Sequence, residues 1–234
     1  MNTIRSVLLL AWIGLTLAFS VHAQVVQQTL VVNELIPDGN LSGLASSVTI
    51  NSAATSLADL SVSLSLSPGQ DGGFTGDLYA LLVHGSESIV LLNRPGRDTD
   101  RRSGYGDGVE IHITFSNAGV DDPHLYREVI SGNSSQALSG PLTGVWQPDG
   151  RTTSPLTVVT LSTRNPSMHT FDPSSPDGKW TLFVADLSNG GRYQLDSWTL
   201  EFTGLSSVPE PASSVIVTAF TVVCVRLWLR CRPG

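Results

Sequence analysis

The chain reads as all-β: a jelly-roll-like β-sandwich of about eight strands, with an N-terminal signal helix and a C-terminal transmembrane-like helix outside it. Three observations predict this. Between the ends the apolar residues recur with a period of two, as in Leu60-Ser-Val62-Ser-Leu64-Ser-Leu66, where every second side chain is apolar. That period belongs to a half-buried strand. Turn signals of Gly, Pro, Asn and Asp separate the apolar stretches at short intervals. No stretch of the middle region sustains a helical period. Many short strands at such spacing indicate a sandwich or jelly roll.

The first 23 residues have the order of a signal peptide. Arg5 precedes an apolar stretch from Val7 to Phe19, and Val21-His22-Ala23 supplies a small-x-small cleavage site. An export translocon and signal peptidase read this pattern, so cleavage is expected between Ala23 and Gln24. The apolar core is short for a membrane span of about 20 residues. At the other end stand Val208-Pro209-Glu210-Pro211, a largely apolar run from Ala212 to Val225, and then Arg226, Arg230 and Arg232.

This tail resembles the PEP-CTERM sorting signal of bacteria that make extracellular polysaccharide. The resemblance implies recognition and processing by an exosortase. Pro209 and Pro211 cannot continue a helix, which leaves an extended segment. The run beyond it can enter the inner membrane transiently, with the arginines on the cytoplasmic side. Arg226 interrupts the apolar run before Leu227-Trp228-Leu229, a departure that snorkelling accommodates. The expected parts are therefore residues 1–23 as signal peptide, 24–207 as the β-domain and 208–234 as the sorting or anchor segment.

Removing the ends leaves about 184 residues, which suits one domain. Both cysteines, Cys224 and Cys231, fall in the tail, so the domain has no disulfide and no thiolate. Nine basic and 19 acidic residues remain, a net charge of about −10. Such a surface repels nucleic acid.

Within the domain, strands are expected at Leu60–Leu66, Leu78–Val83, Ile89–Leu92, Val109–Phe115, Leu156–Leu161, Trp180–Val184 and Trp198–Phe202. Turns are expected at 67–69, 148–150, 176–178 and 189–191, from Ser-Pro-Gly, Pro-Asp-Gly and Asn-Gly-Gly sequences. Trp180 and Trp198 lie on the apolar phase and are expected in the core. Gly76 is expected to permit a turn conformation closed to other residues, with Asp77 hydrogen-bonding that turn.

The order of motifs resembles the P domain, or P/Homo B domain, which follows the catalytic domain of subtilisin-like proprotein convertases. Leu35-Ile36-Pro37-Asp38 is similar to that family's opening. Asp59-Leu60-Ser61-Val62 with Gly76-Asp77-Leu78, and Leu142-Thr-Gly144-Val-Trp146-Gln-Pro148, are similar to its middle. Asp177-Gly178-Lys-Trp180-Thr-Leu182-Phe-Val184-Ala-Asp186 and Asp196-Ser197-Trp198-Thr-Leu200 are similar to its close. The resemblance spans Leu35 to Thr203 and implies an eight-stranded jelly roll.

Calcium is the candidate cofactor, because acids in sandwich loops suit a hard cation that takes about six to eight oxygens. Asp38, Asp77 and Asp186, at motif positions and strand ends, are the candidate ligands. Asp98-x-Asp100, in the polar loop from Arg94 to Asp107, resembles an EF-hand only superficially, since Arg102 and Val109 stand where ligands belong. That loop is expected to be solvated. His84, His112, His124 and His169 remain in the domain, none in an HExxH or triad context. His112 is expected on a polar strand face. No Gly-x-Ser-x-Gly elbow occurs either. The domain fills the mature chain, so a peptidase activity transferred from the P-domain name would rest on fold analogy alone. No catalytic residue is therefore assigned. The expected function is a structural or binding module at the cell surface or in the extracellular matrix, with polysaccharide or a surface protein as partner. The alternative is an accessory module for a separately encoded subtilisin-like serine endopeptidase.

Overall fold

The computed structural model describes residues 19–172 and 175–209, with side chains from 21 to 172 and from 175 to 206. Residues 1–18 of the expected signal segment and 210–234 of the expected tail lie outside the described residues, while 19–23 begin the first strand and 208–209 end the last. The compact unit that carries the sandwich runs from Ala23 to Ser206. Its strands are β1 (Phe19–Leu35), β2 (Leu44–Ile50), β3 (Ser56–Pro68), β4 (Leu78–His84), β5 (Glu87–Asn93), β6 (Ile111–Ser116), β7 (Leu142–Trp146), β8 (Gly178–Asp186) and β9 (Tyr193–Pro209). A six-residue helix α1 (Tyr126–Ser131) and single 3-10 turns at Thr75–Asp77, Pro123–Leu125 and Met168–Phe171 lie in the connections.

Two sheets form the sandwich. One has five strands in the order β1-β9-β3-β6-β7, the other four in the order β2-β8-β4-β5. All the registered pairs are antiparallel except β6 with β7. The period-two pattern decides which face is buried. In β3, Leu60, Val62, Leu64 and Leu66 point inward while the serines between them are half-buried on the outside. From the facing sheet Leu78, Ala80 and Leu82 of β4 and Trp180, Leu182 and Val184 of β8 join them in one core. Trp198 and Trp180 are both fully buried, as expected. Each indole N–H still finds an acceptor, Ser46 Oγ at 2.9 Å and the Pro176 carbonyl at 2.8 Å respectively. Burying such rings without those partners would be costly.

Six of the seven expected strands are present. Bends occur at Pro176 and at 188–190, whereas Ser67 and Pro68 belong to β3 and the chain turns just after them, with the Gly72 N–H bonded to the Gly69 carbonyl at 2.9 Å; 148–150 form an irregular connection. The segment Leu156–Leu161 is a correction. It folds as successive turns, with the Thr157 and Val158 N–H groups both bonded to the Ser154 carbonyl. Its carbonyls go to arginines instead of a ladder: Arg97 donates to Leu156 and Val158, and Arg151 to Thr160. Gly76 is a second correction, because it is absent from the glycines with positive φ. A Cβ there would stand 2.4 Å from the Ser103 carbonyl oxygen and 2.5 Å from the Tyr105 nitrogen. The need is for close backbone approach rather than for unusual dihedrals.

Candidate functional site

At the end of the sandwich where β4 begins and β8 ends, three segments converge. They are the 3-10 turn after Phe74, the loop Ser103–Gly106 and the connection Ser188–Asn189, and between them opens a cleft of about 300 Å³. Gly76 lets the first segment lie directly against the second. Backbone bonds then lock them, from Gly76 N to the Tyr105 carbonyl at 2.8 Å and from Thr75 N to the Asp107 carbonyl at 3.0 Å.

Asp77 lines this cleft and meets Arg94 in a buried ion pair at 2.9 Å. The same guanidinium donates through Nε to the Gly76 carbonyl at 2.9 Å and through Nη2 to Ser188 Oγ at 3.0 Å. Arg94 therefore ties the 3-10 turn to the β8–β9 connection. It does so from a left-handed backbone conformation, φ 50°, which is uncommon for a residue with a side chain. Burial pushes the Asp77 carboxyl up despite the Ser188 and Arg94 contacts that oppose the shift.

Asp38, Asp77 and Asp186 come from three distant segments, and the fold brings them into electrostatic range of one another. Asp38 is exposed, and its Oδ2 accepts from Gly190 N at 3.2 Å. Asp186 is fully buried, with Oδ1 accepting from Ser188 N and Oδ2 without a hydrogen-bond partner. Burial, reinforced by Asp77 and Asp38, pushes its carboxyl up to about 7. The cation that meets Asp77 is the Arg94 guanidinium. Among the described residues no group of three or more His, Cys, Asp or Glu is arranged to hold a metal ion. One orphaned oxygen falls short of a calcium shell of about six to eight, and an ion bound at Asp77 competes with the Arg94 guanidinium on Oδ1.

Two further charge clusters brace the neighbouring loops, and the sequence reading missed both. Arg127 of α1 makes a two-point contact with Asp107, Nε to Oδ2 and Nη2 to Oδ1, each at 2.8 Å. Tyr126 Oη and the Leu138 N–H also donate to that carboxylate. Burial alone would raise Asp107, but these donors outweigh it and hold the carboxyl below its usual range. The loop 94–107 is thus solvated only in its middle. Arg94, Tyr105 and Asp107 at its two ends are buried, which corrects the expectation of a solvated loop. The second cluster joins Arg151 to Asp122 at 2.7 Å and to Asp149 at 3.1 Å, with Arg164 3.6 Å from Asp122. His124 lies 3.3 Å from Asp149 Oδ2, and its two ring nitrogens face the Asn93 and Arg97 carbonyls.

On the outer face of the five-stranded sheet, Ser65 Oγ stands 3.1 Å from His112 Nδ1, and His112 Nε2 stands 3.3 Å from Glu110 Oε2. This serine–histidine–carboxylate line places His112 on the polar face, as expected. Its side chain is 47 % exposed and that of Glu110 62 %. Ser65 is flanked by His112 of β6 and Ser197 of β9, with an irregularity in the β3–β9 register between Ser65 and Leu66. The line is a cross-strand polar pairing of the same kind as Ser63 with Thr114 and Thr29 with Thr199.

Ala23 and Gln24 are exposed residues of β1. Pro209 is the last residue of β9, while Glu210, Pro211, Arg226, Arg230 and Arg232 lie outside the described residues.

No family model matches the chain, and no curated protein matches it. Among solved structures, the complex of Aeromonas sobria serine protease with its chaperone is similar at 17 % identity and a TM-score of 0.42, over 80 % of this chain and 27 % of that one. The serine protease of Aeromonas sobria alone is similar at 18 % identity, again with a TM-score of 0.42, over 79 % and 27 %. The chain thus spans about a quarter of the length of the structures it resembles.

Proposed function

We propose that this chain is an exported, non-catalytic binding module. In this reading signal peptidase cuts between Ala23 and Gln24, and an exosortase handles the tail around Pro209-Glu210-Pro211. The sandwich is then displayed at the cell surface or released into the extracellular matrix, where polysaccharide or a surface protein is its partner. One observation carries the binding reading: the loops that frame the cleft are fixed by interior charges. Arg94 ties Asp77 to Ser188, and Arg127 ties α1 to Asp107. A recognition surface held this way loses little freedom when a ligand arrives. The resemblance to P domains supports the same reading, since such a domain sits beside an enzyme without being one.

Glycan arrays and a pull-down with the exported protein test the proposal. Saccharide or surface-protein binding is expected. Recovery of a subtilisin-like protease with no saccharide bound would replace it by the accessory reading, and peptide turnover abolished by a single substitution would replace it by an enzyme. Intact mass is expected to show a chain starting at Gln24 and ending near the Pro-Glu-Pro motif. Calcium at Asp38, Asp77 and Asp186 competes with Arg94 for Asp77. On that reading calcium raises the melting temperature more in Arg94→Met than in the parent, and equal melting with calcium or chelator in both proteins rules it out.

A further inference from the structure

Among the residues whose side chains are described, Phe74 is the one phenylalanine, tyrosine or tryptophan that is exposed, at 39 %. The large rings of the core, Trp180, Trp198, Tyr105, Tyr126 and Tyr193, are at most 1 % exposed. Phe74 is not a stray surface residue: it lines the cleft together with Ser188 and Asn189. The side near Gly104 and Gly106 carries no side chains, and a Cβ on Gly106 would meet nothing nearer than the Phe74 ring at 3.9 Å. A ligand lying on the ring therefore reaches backbone as well as side-chain groups.

The polar groups of the cleft are a carboxylate at Asp77, an amide at Asn189 and hydroxyls at Ser103 and Ser188. Together they supply both donors and acceptors beside one apolar ring. Formal charge there is cancelled in place, since Asp77 pairs with Arg94 at 2.9 Å. Three of the five Arg94 N–H donors go to Gly76, Asp77 and Ser188, and the guanidinium charge is met by Asp77. A cation would have to compete with an arginine already seated. What suits the cleft is a neutral ligand with one apolar face and a rim of hydroxyls. Its volume of about 300 Å³ is at the lower end for small-molecule sites, room for a single sugar ring.

We infer that this cleft is a carbohydrate subsite in which one pyranose of a neutral glycan lies against Phe74 and hydrogen-bonds Asp77, Ser188 and Asn189. The inference rests on the binding-module reading and gives it a location and a ligand class. One ring held this way should bind with a Kd on the order of millimolar.

The test is an amide NMR titration of the ¹⁵N-labelled full chain in a sugar-free detergent. The probes are the methyl glycosides of glucose, galactose, mannose and N-acetylglucosamine, with calcium chloride and acetyl-arginine methyl ester as charged controls. Shifts confined to 74–77, 103–106 and 188–189 with at least one glycoside are expected. They should weaken about tenfold in Phe74→Ala and persist in Phe74→Trp, while thermal melts of both variants show that the fold is intact. Saccharide shifts elsewhere, or shifts in the cleft unchanged by Phe74→Ala, overturn the subsite and leave the binding module standing. Shifts in the cleft from a charged control alone overturn the ligand class. No shift from any glycoside overturns the subsite, and silence on a glycan array and in the pull-down as well would overturn the module too.

Discussion

Two buried acid clusters lie on either side of the Thr75–Asp77 turn and behave in opposite ways. At Asp107 four donor groups, two on Arg127 and one each on Tyr126 and Leu138, converge on one carboxylate and hold it below its usual range. At Asp186 a somewhat more deeply buried carboxyl has one backbone donor, an orphaned oxygen and two acidic neighbours, and is pushed up to about 7. Burial disfavours the charged form in both places, so the number of donors decides the outcome. The first cluster is a brace. The second keeps a cost in the fold beside the open cleft.

Breaking the brace should give the largest effect. Asp107→Ala leaves the Arg127 guanidinium buried without a counter-charge and should cost about 3–5 kcal/mol in urea unfolding. Next comes the residue that sets the two clusters side by side. Gly76→Ala drives a methyl into the backbone of loop 103–105, and a loss of about 1–3 kcal/mol is expected by the same measurement.

The under-donated cluster should respond with the opposite sign. The folded Asp186 carboxyl keeps its proton up to about 7, whereas the unfolded one gives it up near 3.8. The folded state's advantage is thus complete below 3.8 and is lost as pH rises towards 7. Asp186→Asn should therefore melt close to the parent at pH 4 and several degrees above it at pH 8. Asp107 runs the other way: its contribution is present above 3.8 and lost as pH falls through its depressed folded value. The smallest effect belongs to an exposed pair. Arg192 and Asp71 stand 3.9 Å apart with side chains 41 % and 73 % exposed, and Asp71→Ala should change stability by less than about 0.5 kcal/mol.

These clusters also mark where the sequence stops being legible. Alternation in β3, β6, β8 and β9 shows the buried face directly, because a strand's period is two and both tryptophans fall on its apolar phase. Strands β1, β2 and β7 were not expected. In β1 a Val-rich stretch abuts the presumed cleavage site, and only Val26, Leu30 and Val32 pack against the core. Charge pairs leave no period at all: Arg94 and Asp77 are 17 residues apart, Arg127 and Asp107 20, Arg151 and Asp122 29. Asp38, Asp77 and Asp186 were chosen from motif positions, and the fold brings them within electrostatic range. Arg94, which holds Asp77, stands in the sequence only as one end of a polar loop. Phe74 carried no signal either, since an exposed ring in a cleft and a core ring look alike in one dimension.

One strand also decides which way the cleft faces. β9 starts at Tyr193, whose hydroxyl reaches the Asp107 carbonyl beside the cleft. It then runs the length of the sheet, pairing with β3 from Tyr193–Pro68 to Leu205–Ser56. β1 lies alongside it, with Gln27 against Glu201 and Thr29 against Thr199. The chain thus enters at Ala23 and leaves at Ser206 on one side of the unit, and the cleft sits at the other, roughly 40 Å away by strand rise. A sugar seated in the cleft would therefore lie at the end of the unit opposite to Ala23 and Ser206, and the strand that carries the core tryptophan Trp198 spans the distance between them.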